Sequence, residues 1–222
     1  MSFVCIFDAM KKYLLLLSIS LTLIYCQSAK QEPQGTGSTT ENANAMESTN
    51  GITDYLHVPG PISFNQQEHL LAWSSHPTDN YYKHEYLPKG QNPERYQQMI
   101  MLEVALGDII PLDIANAKAN EIEGRKGSDA LAGFTLAENK RTGEILLEFM
   151  LSEGTGEAAI VEWNCYRYKS YAGPSGQKGI MLFALSKRGY GAEGKTFAAD
   201  CNANGGQYMS EFQSVAFPEI KL

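Results

Sequence analysis

Three runs of β-forming residues follow one another in the second half of the chain. They occupy residues 145–151, 159–169 and 179–187, and segments that contain Gly separate them. Branched and aromatic side chains favour strands, and consecutive strands joined by short turns normally pair as antiparallel neighbours. We therefore expect an antiparallel sheet at the centre of the fold.

Further elements are predicted ahead of and after these runs. Residues 80–87 are rich in Tyr and stop at Pro-Lys-Gly, which predicts a strand and a turn. Residues 92–94, Asn-Pro-Glu, combine a capping residue with a Pro that fits the first helical turn, and Pro111 opens a second candidate helix that Gly124 would stop. The first helix would present Tyr96, Met99 and Ile100 on one face, and the second Ile114, Ala117 and Ile122. Helix patterns recur only weakly from 192 to 215. Because both strands and helices are predicted, we expect a single α+β domain, an antiparallel sheet with helices packed on one face.

The charge balance and the absence of known motifs exclude several functions. The chain has 18 Lys and Arg against 25 Asp and Glu, a formal net charge of -7, and so lacks the positive field that nucleic-acid binding requires. It contains no Gly-x-Ser-x-Gly, no Gly-rich phosphate loop with Lys and no His-Glu-x-x-His. The four His residues also lack the spacing of a zinc site. We predict no catalytic residue, no metal, no cofactor and no nucleic-acid partner.

The N-terminal residues have the layout of an export signal. Lys11 and Lys12 precede an apolar run of 13 residues, 13–25, that ends at Cys26. A membrane-spanning helix needs about 20 apolar residues, whereas the apolar part of a signal needs about 7 to 15. Residues 1–25 are therefore predicted to be a signal peptide, with Met10 favoured as the working start.

Residues 23–26, Leu-Ile-Tyr-Cys, resemble the lipobox of bacterial lipoprotein precursors. In that family the Cys is lipidated and becomes the mature N-terminus, which implies lipid attachment at Cys26 and the membrane as a partner. Tyr25 departs from the usual Gly, Ala or Ser, and the alternative is a secretory signal cut nearby. Gln27 stands where Asp commonly retains lipoproteins at the inner membrane, which implies the outer membrane, with the domain facing the periplasm or the surface.

A polar tether follows the signal. From residue 26 to residue 51, Met46 is the sole large apolar side chain. Such a segment cannot bury enough apolar surface to offset the entropy of ordering it, so we predict a disordered tether. The globular domain is then expected to span residues 52–222.

Two strands carry a candidate binding face. Alternation along a strand would place Tyr82, His84 and Tyr86 on one side. In the run 159–169, Trp163 and Cys165 would face the core, and Tyr166 and Tyr168 would face away. If the two strands lie side by side, they form one aromatic face that comprises Tyr82, His84, Tyr86, Tyr166 and Tyr168. The alternative is ordinary cross-strand packing, or burial of the same rings beneath the helices.

Two cysteines remain in the mature domain. Cys165 and Cys201 would lie in a compartment that permits disulfides, so a bridge between them is predicted. The alternative is that Cys165 is a buried thiol on its strand while Cys201 lies elsewhere on the surface. The expected function is that of an exported, lipid-anchored envelope protein, a non-enzymatic binding or accessory module with another envelope protein as candidate partner. The alternatives are an exported hydrolase that uses His84 with a carboxylate, and a purely structural envelope component.

Overall fold

The computed structural model describes residues 46–47 and 51–222. The predicted signal peptide, the lipid-attachment residue Cys26 and most of the predicted tether lie outside the described residues. The end of the tether is partly described, since Met46 and Glu47 pair as a short strand with Thr53 and Asp54.

Ten strands and two α-helices form the described part of the chain. The strands are β1 (Met46–Glu47), β2 (Thr53–Asp54), β3 (Ile62–Phe64), β4 (Gln67–Thr78), β5 (Tyr81–Pro88), β6 (Gln98–Leu106), β7 (Gly133–Asn139), β8 (Glu144–Glu153), β9 (Ile160–Ala172) and β10 (Lys178–Tyr190). The helices are α1 (Pro111–Arg125) and α2 (Gly194–Gln213), and short 3₁₀ turns at Gly156–Ala158 and Gly191–Glu193 precede β9 and α2. Neither of these two helices is both long and apolar enough to span a membrane.

Eight of the strands form one antiparallel sheet. Their order is β3-β4-β5-β6-β10-β9-β8-β7, and the sheet curls into a half-barrel. The three β-type runs of the sequence become the neighbouring strands β8, β9 and β10, so this strand prediction is confirmed.

The predicted fold class is wrong, because the helices cover opposite faces of a dominant sheet. On the α1 face, α1 packs over β7, β8 and β9 through Ala115, Ala119 and Ile122. On the α2 face, α2 packs over β9 and β10, with Phe212 in the same apolar cluster as Phe183. Residues 180–185 are buried and almost entirely large and apolar, since both sides of β10 are covered. That unbroken run is the sequence signal of a strand buried on both faces.

The prediction of a helix that begins at residues 92–94 is also wrong. Asn92 does cap a turn, since its Oδ1 accepts a hydrogen bond from the Arg95 N–H at 2.8 Å. The chain then enters β6, which pairs with β5 on one side and β10 on the other. The helix at Pro111 is confirmed, although Gly124 lies in its last turn and Arg125 ends it.

Candidate functional site

A groove lies at one end of the sheet, where β6 begins, β10 ends and β9 begins. Its volume is about 640 Å³, and it is lined by Gln91, residues 95–97, Glu157 and residues 190–193. Because β10 lies between β6 and β9, residues 91–97 form one flank, Glu157 lies on the other, and residues 190–193 lie between them. We call this site the Tyr96 groove.

Two tyrosines fasten the first flank to the end of β10. The Tyr96 N–H donates to the Tyr190 hydroxyl at 3.0 Å, and that hydroxyl donates to the Tyr96 carbonyl at 2.7 Å. The guanidinium of Arg95 lies 4.3 Å from the centre of the Tyr190 ring, a cation–π contact. This flank of the groove is therefore held by both backbone and side-chain contacts.

A backbone constraint shapes the other side of the groove. Gly191 has a φ of 52°, in the left-handed region, and its N–H donates to the Ala159 carbonyl at 2.8 Å. A Cβ at this position would lie 3.3 Å from Oε2 of Glu157. Glycine is therefore favoured both by the turn and by the close approach of the Glu157 carboxylate.

A polar network surrounds the hydroxyl of Tyr96, one of the residues that line the groove. The Tyr96 hydroxyl donates to Glu162 Oε2 at 3.0 Å, so the Ser186 hydroxyl, also at 3.0 Å, must be the donor in its contact with Tyr96. Arg188 Nε donates to the same carboxylate, and Asn164 Nδ2 donates to Glu162 Oε1 at 3.0 Å. Glu162 thus accepts hydrogen bonds from three side chains.

Two members of the network, Tyr96 and Arg188, have raised pKa values. Burial and the neighbouring Glu162 raise the pKa of Tyr96 well above its usual value. Burial opposes the charge of Arg188, but Glu162, Tyr96 and Tyr190 together outweigh that effect and raise the pKa of the guanidinium. The hydrogen bonds to Glu162 and Ser186 hold the Tyr96 side chain in place, which suits the positioning of a ligand.

The structure divides the predicted aromatic face between the two sides of the sheet. Tyr82, His84 and Tyr86 belong to β5 and lie on the α2 face, whereas Tyr166 and Tyr168 belong to β9 and lie on the α1 face. Strands β6 and β10 separate β5 from β9. The two groups therefore do not form one surface, and none of the five residues lines the Tyr96 groove.

His84 is fully buried and serves as an anchor. Its Nε2 accepts the Tyr55 N–H at 3.1 Å, which assigns the proton to Nδ1, and Nδ1 donates to the Tyr86 hydroxyl at 3.0 Å. Tyr86 in turn donates to the Val58 carbonyl at 2.7 Å. Burial lowers the pKa of His84 to about 4, although the Asp54 carboxylate, 3.8 Å away, opposes that shift. Both ring nitrogens are engaged, so neither is available to act on an external substrate.

The other predicted residues of this face take part in packing. The Tyr166 ring lies edge-on to Phe149 with ring centres 4.8 Å apart, and Tyr168 is buried beside Ile145. Tyr82 is half-buried, and its ring stacks on His76 with ring centres 4.1 Å apart.

The predicted disulfide is absent from the structure. Cys165 on β9 and Cys201 on α2 are both buried as free thiols in the apolar cluster between the sheet and α2. Burial raises the pKa of Cys165 to about 12 and that of Cys201 to about 11. In residues 51–222, no three His, Cys, Asp or Glu side chains come together as a metal site requires.

Sequence reasoning missed the Tyr96 groove, because its residues come from three segments that only the sheet order unites. A protein-family model, whose description gives no activity, matches residues 56–217. No curated protein and no solved structure matches the chain. The family model covers more than two thirds of the sequence and includes every residue that lines the groove, so the chain belongs to this family.

Proposed function

We propose that the protein is an exported, lipid-anchored envelope protein whose domain binds a ligand, or a segment of a partner protein, in the Tyr96 groove and catalyses no reaction. The export signal and Cys26 support the location. The groove carries the binding function: its volume of about 640 Å³ falls within the range of roughly 300 to 1,000 Å³ typical of ligand sites. The hydrogen bonds of the Tyr96 hydroxyl hold this lining residue in place before any ligand arrives.

The state of the reactive side chains supports binding over catalysis. A nucleophilic Cys needs a lowered pKa, whereas burial raises the pKa of both Cys165 and Cys201. A general base needs a free ring nitrogen, whereas His84 uses both of its nitrogens within the domain.

Cell fractionation of the full chain tests the anchor. We expect the wild-type protein in the membrane fraction with an acylated Cys26 in intact mass spectrometry, and Cys26→Ser in the soluble exported fraction. A soluble wild-type product that begins near Ala29 would contradict the anchor and leave secretion alone.

Crosslinking in intact cells tests the groove. A photoreactive residue in place of Ala192, which is exposed and lines the groove, should give a discrete adduct. The same residue in place of Ala137, exposed on β7 outside the groove, is the matched control. Identical adducts at both positions, or none at 192, would contradict a binding function for the groove.

A further inference from the structure

We infer that the Tyr96 groove takes a zwitterionic ligand of the amino-acid or short-peptide class, with its carboxylate at Arg95 and its ammonium group at Glu157 and Glu193. The inference rests on the proposed binding function of the groove. It follows from three charged side chains that line the groove and have no ion-pair partner among the described residues.

Arg95 provides the anion-binding side. Its side chain is exposed and stacks over Tyr190 at 4.3 Å, while its hydrogen bonds to protein are made by the backbone. Stacking orients the planar guanidinium and leaves its N–H groups available. This planar fork matches a carboxylate with two parallel hydrogen bonds.

Glu157 and Glu193 provide the cation-binding side. They belong to the two 3₁₀ turns, and both are exposed. Gly191 lets the Glu157 carboxylate approach the turn that carries Glu193. Two carboxylates on adjacent turns that line one groove, without a protein cation, favour an ammonium group.

The opposite charges on the two sides of the groove favour a zwitterionic ligand over a ligand with charges of a single sign. A purely anionic ligand would meet two carboxylates, and a purely cationic ligand would meet Arg95. Like charges placed together across an interface are costly, so both of these classes are disfavoured. A ligand with one charge of each sign satisfies the two sides of the groove at once.

Two amide side chains on the same flank as Arg95 suit a peptide. Gln91 Oε1 accepts the Gln97 N–H at 2.7 Å, which orients the Gln91 amide and leaves its NH₂ group without a partner among the described residues. The Gln97 side chain is exposed in the same groove. Amides donate and accept hydrogen bonds as peptide groups do.

Calorimetric titration of the full chain with trialanine, N-acetyl-trialanine and trialanine amide tests the inference. We expect trialanine to bind at millimolar concentration or below, and blocking either end to weaken binding by about tenfold, as expected for the loss of a hydrogen bond to a charged group. Arg95→Gln should abolish the difference between trialanine and its amide. The double variant Glu157→Gln/Glu193→Gln should abolish the difference between trialanine and its acetylated form.

Variants of exposed side chains outside the groove are the controls. Arg141→Gln and the double variant Glu138→Gln/Glu219→Gln should keep both differences. The inference is overturned if trialanine fails to bind at millimolar concentration, if blocked peptides bind equally well, or if Arg95→Gln leaves the preference for a free carboxylate intact. An adduct at position 192 under any of these outcomes would retain the proposed binding function with another ligand class, whereas its absence would remove both.

Discussion

Two arginines on neighbouring strands each pair with a carboxylate, on opposite faces of the sheet. Arg167 lies on the α2 face, where Nε donates to Glu144 Oε1 at 2.6 Å and Nη1 donates to the carbonyls of Phe212 and Val215 at 2.8 and 2.7 Å. Arg188 lies on the α1 face, where it pairs with Glu162 beneath Tyr96. The first pair joins the sheet to the end of α2, and the second supports a surface groove. The Arg167–Glu144 pair thus holds two elements of the fold together, whereas the Arg188–Glu162 pair lies at a candidate binding site.

The exposure of the two carboxylates sharpens the contrast. The Glu144 side chain is 10% exposed, whereas that of Glu162 is 22% exposed and accepts from Tyr96 and Asn164 as well as Arg188. When its arginine is removed, Glu162 therefore still contacts water and accepts hydrogen bonds from two other side chains. Glu144 has less contact with water and fewer other donors. Removing Arg167 should therefore lower the free energy of unfolding more than removing Arg188.

The largest effect is expected for Arg167→Met. The change leaves Glu144 buried without its partner and removes the donor to the carbonyls of Phe212 in α2 and Val215 just after it. Breaking a buried ion pair from one side costs about 3 to 5 kcal/mol. Urea unfolding should show that loss, while Arg141→Met, in an exposed turn, should leave stability unchanged within error. A loss below about 1 kcal/mol would place this pair in the class of weak surface pairs.

A smaller loss of stability is expected for Arg188→Met. The two remaining donors keep Glu162 hydrogen-bonded, so we expect about 1 to 3 kcal/mol, the cost of one charge-assisted hydrogen bond. Binding in the groove should be impaired more than the stability of the domain, because Tyr96 loses the guanidinium that lies 4.2 Å from the centre of its ring. Urea unfolding and crosslinking at position 192 measure the two effects. Equal destabilisation by Arg188→Met and Arg167→Met would erase the distinction between the two pairs.

Adjacent glycines in α2 test how tightly its face packs on the sheet. A Cβ at Gly205 would collide with the Glu148 carboxylate and lie 3.1 Å from Trp163 Nε1, whereas one at Gly206 meets nothing within 4 Å. For Gly205→Ala, overpacking should destabilise the domain by about 1 to 3 kcal/mol, and the helix preference of Ala should offset up to about 1 kcal/mol of that loss. Gly206→Ala should stabilise it by up to about 1 kcal/mol, because Ala favours the helix. Thermal unfolding measures both variants, and equal shifts would mean that α2 does not pack closely here.

The sequence predicts the strands better than their arrangement. The runs at 145–151, 159–169 and 179–187 contain enough β-forming residues to locate three strands. The residues at 92–94 form a local cap, but the pairing of β6 with strands on both sides overrides the helix that such a cap favours. Local patterns could not show that β6 and β10 separate β5 from β9, and so could not find the Tyr96 groove. The sequence places His84 on its strand, but the partner of its Nε2 is Tyr55, 29 positions earlier in the chain, which a local pattern cannot show.

The smallest effect is expected from reduction of the thiols on the α2 face. A bridge between Cys165 and Cys201 would stabilise the domain by about 3 to 4 kcal/mol in the chain-entropy model. Free thiols in the apolar cluster contribute packing alone, so dithiothreitol should leave the midpoint of urea unfolding unchanged. The native domain should react slowly with a thiol reagent, because both groups are buried and their pKa values are raised to about 12 and 11. The unreduced, denatured domain should then release both thiols. A midpoint that falls on reduction, together with fewer than two thiols in the denatured monomer, would establish the bridge and require α2 to sit differently on β9.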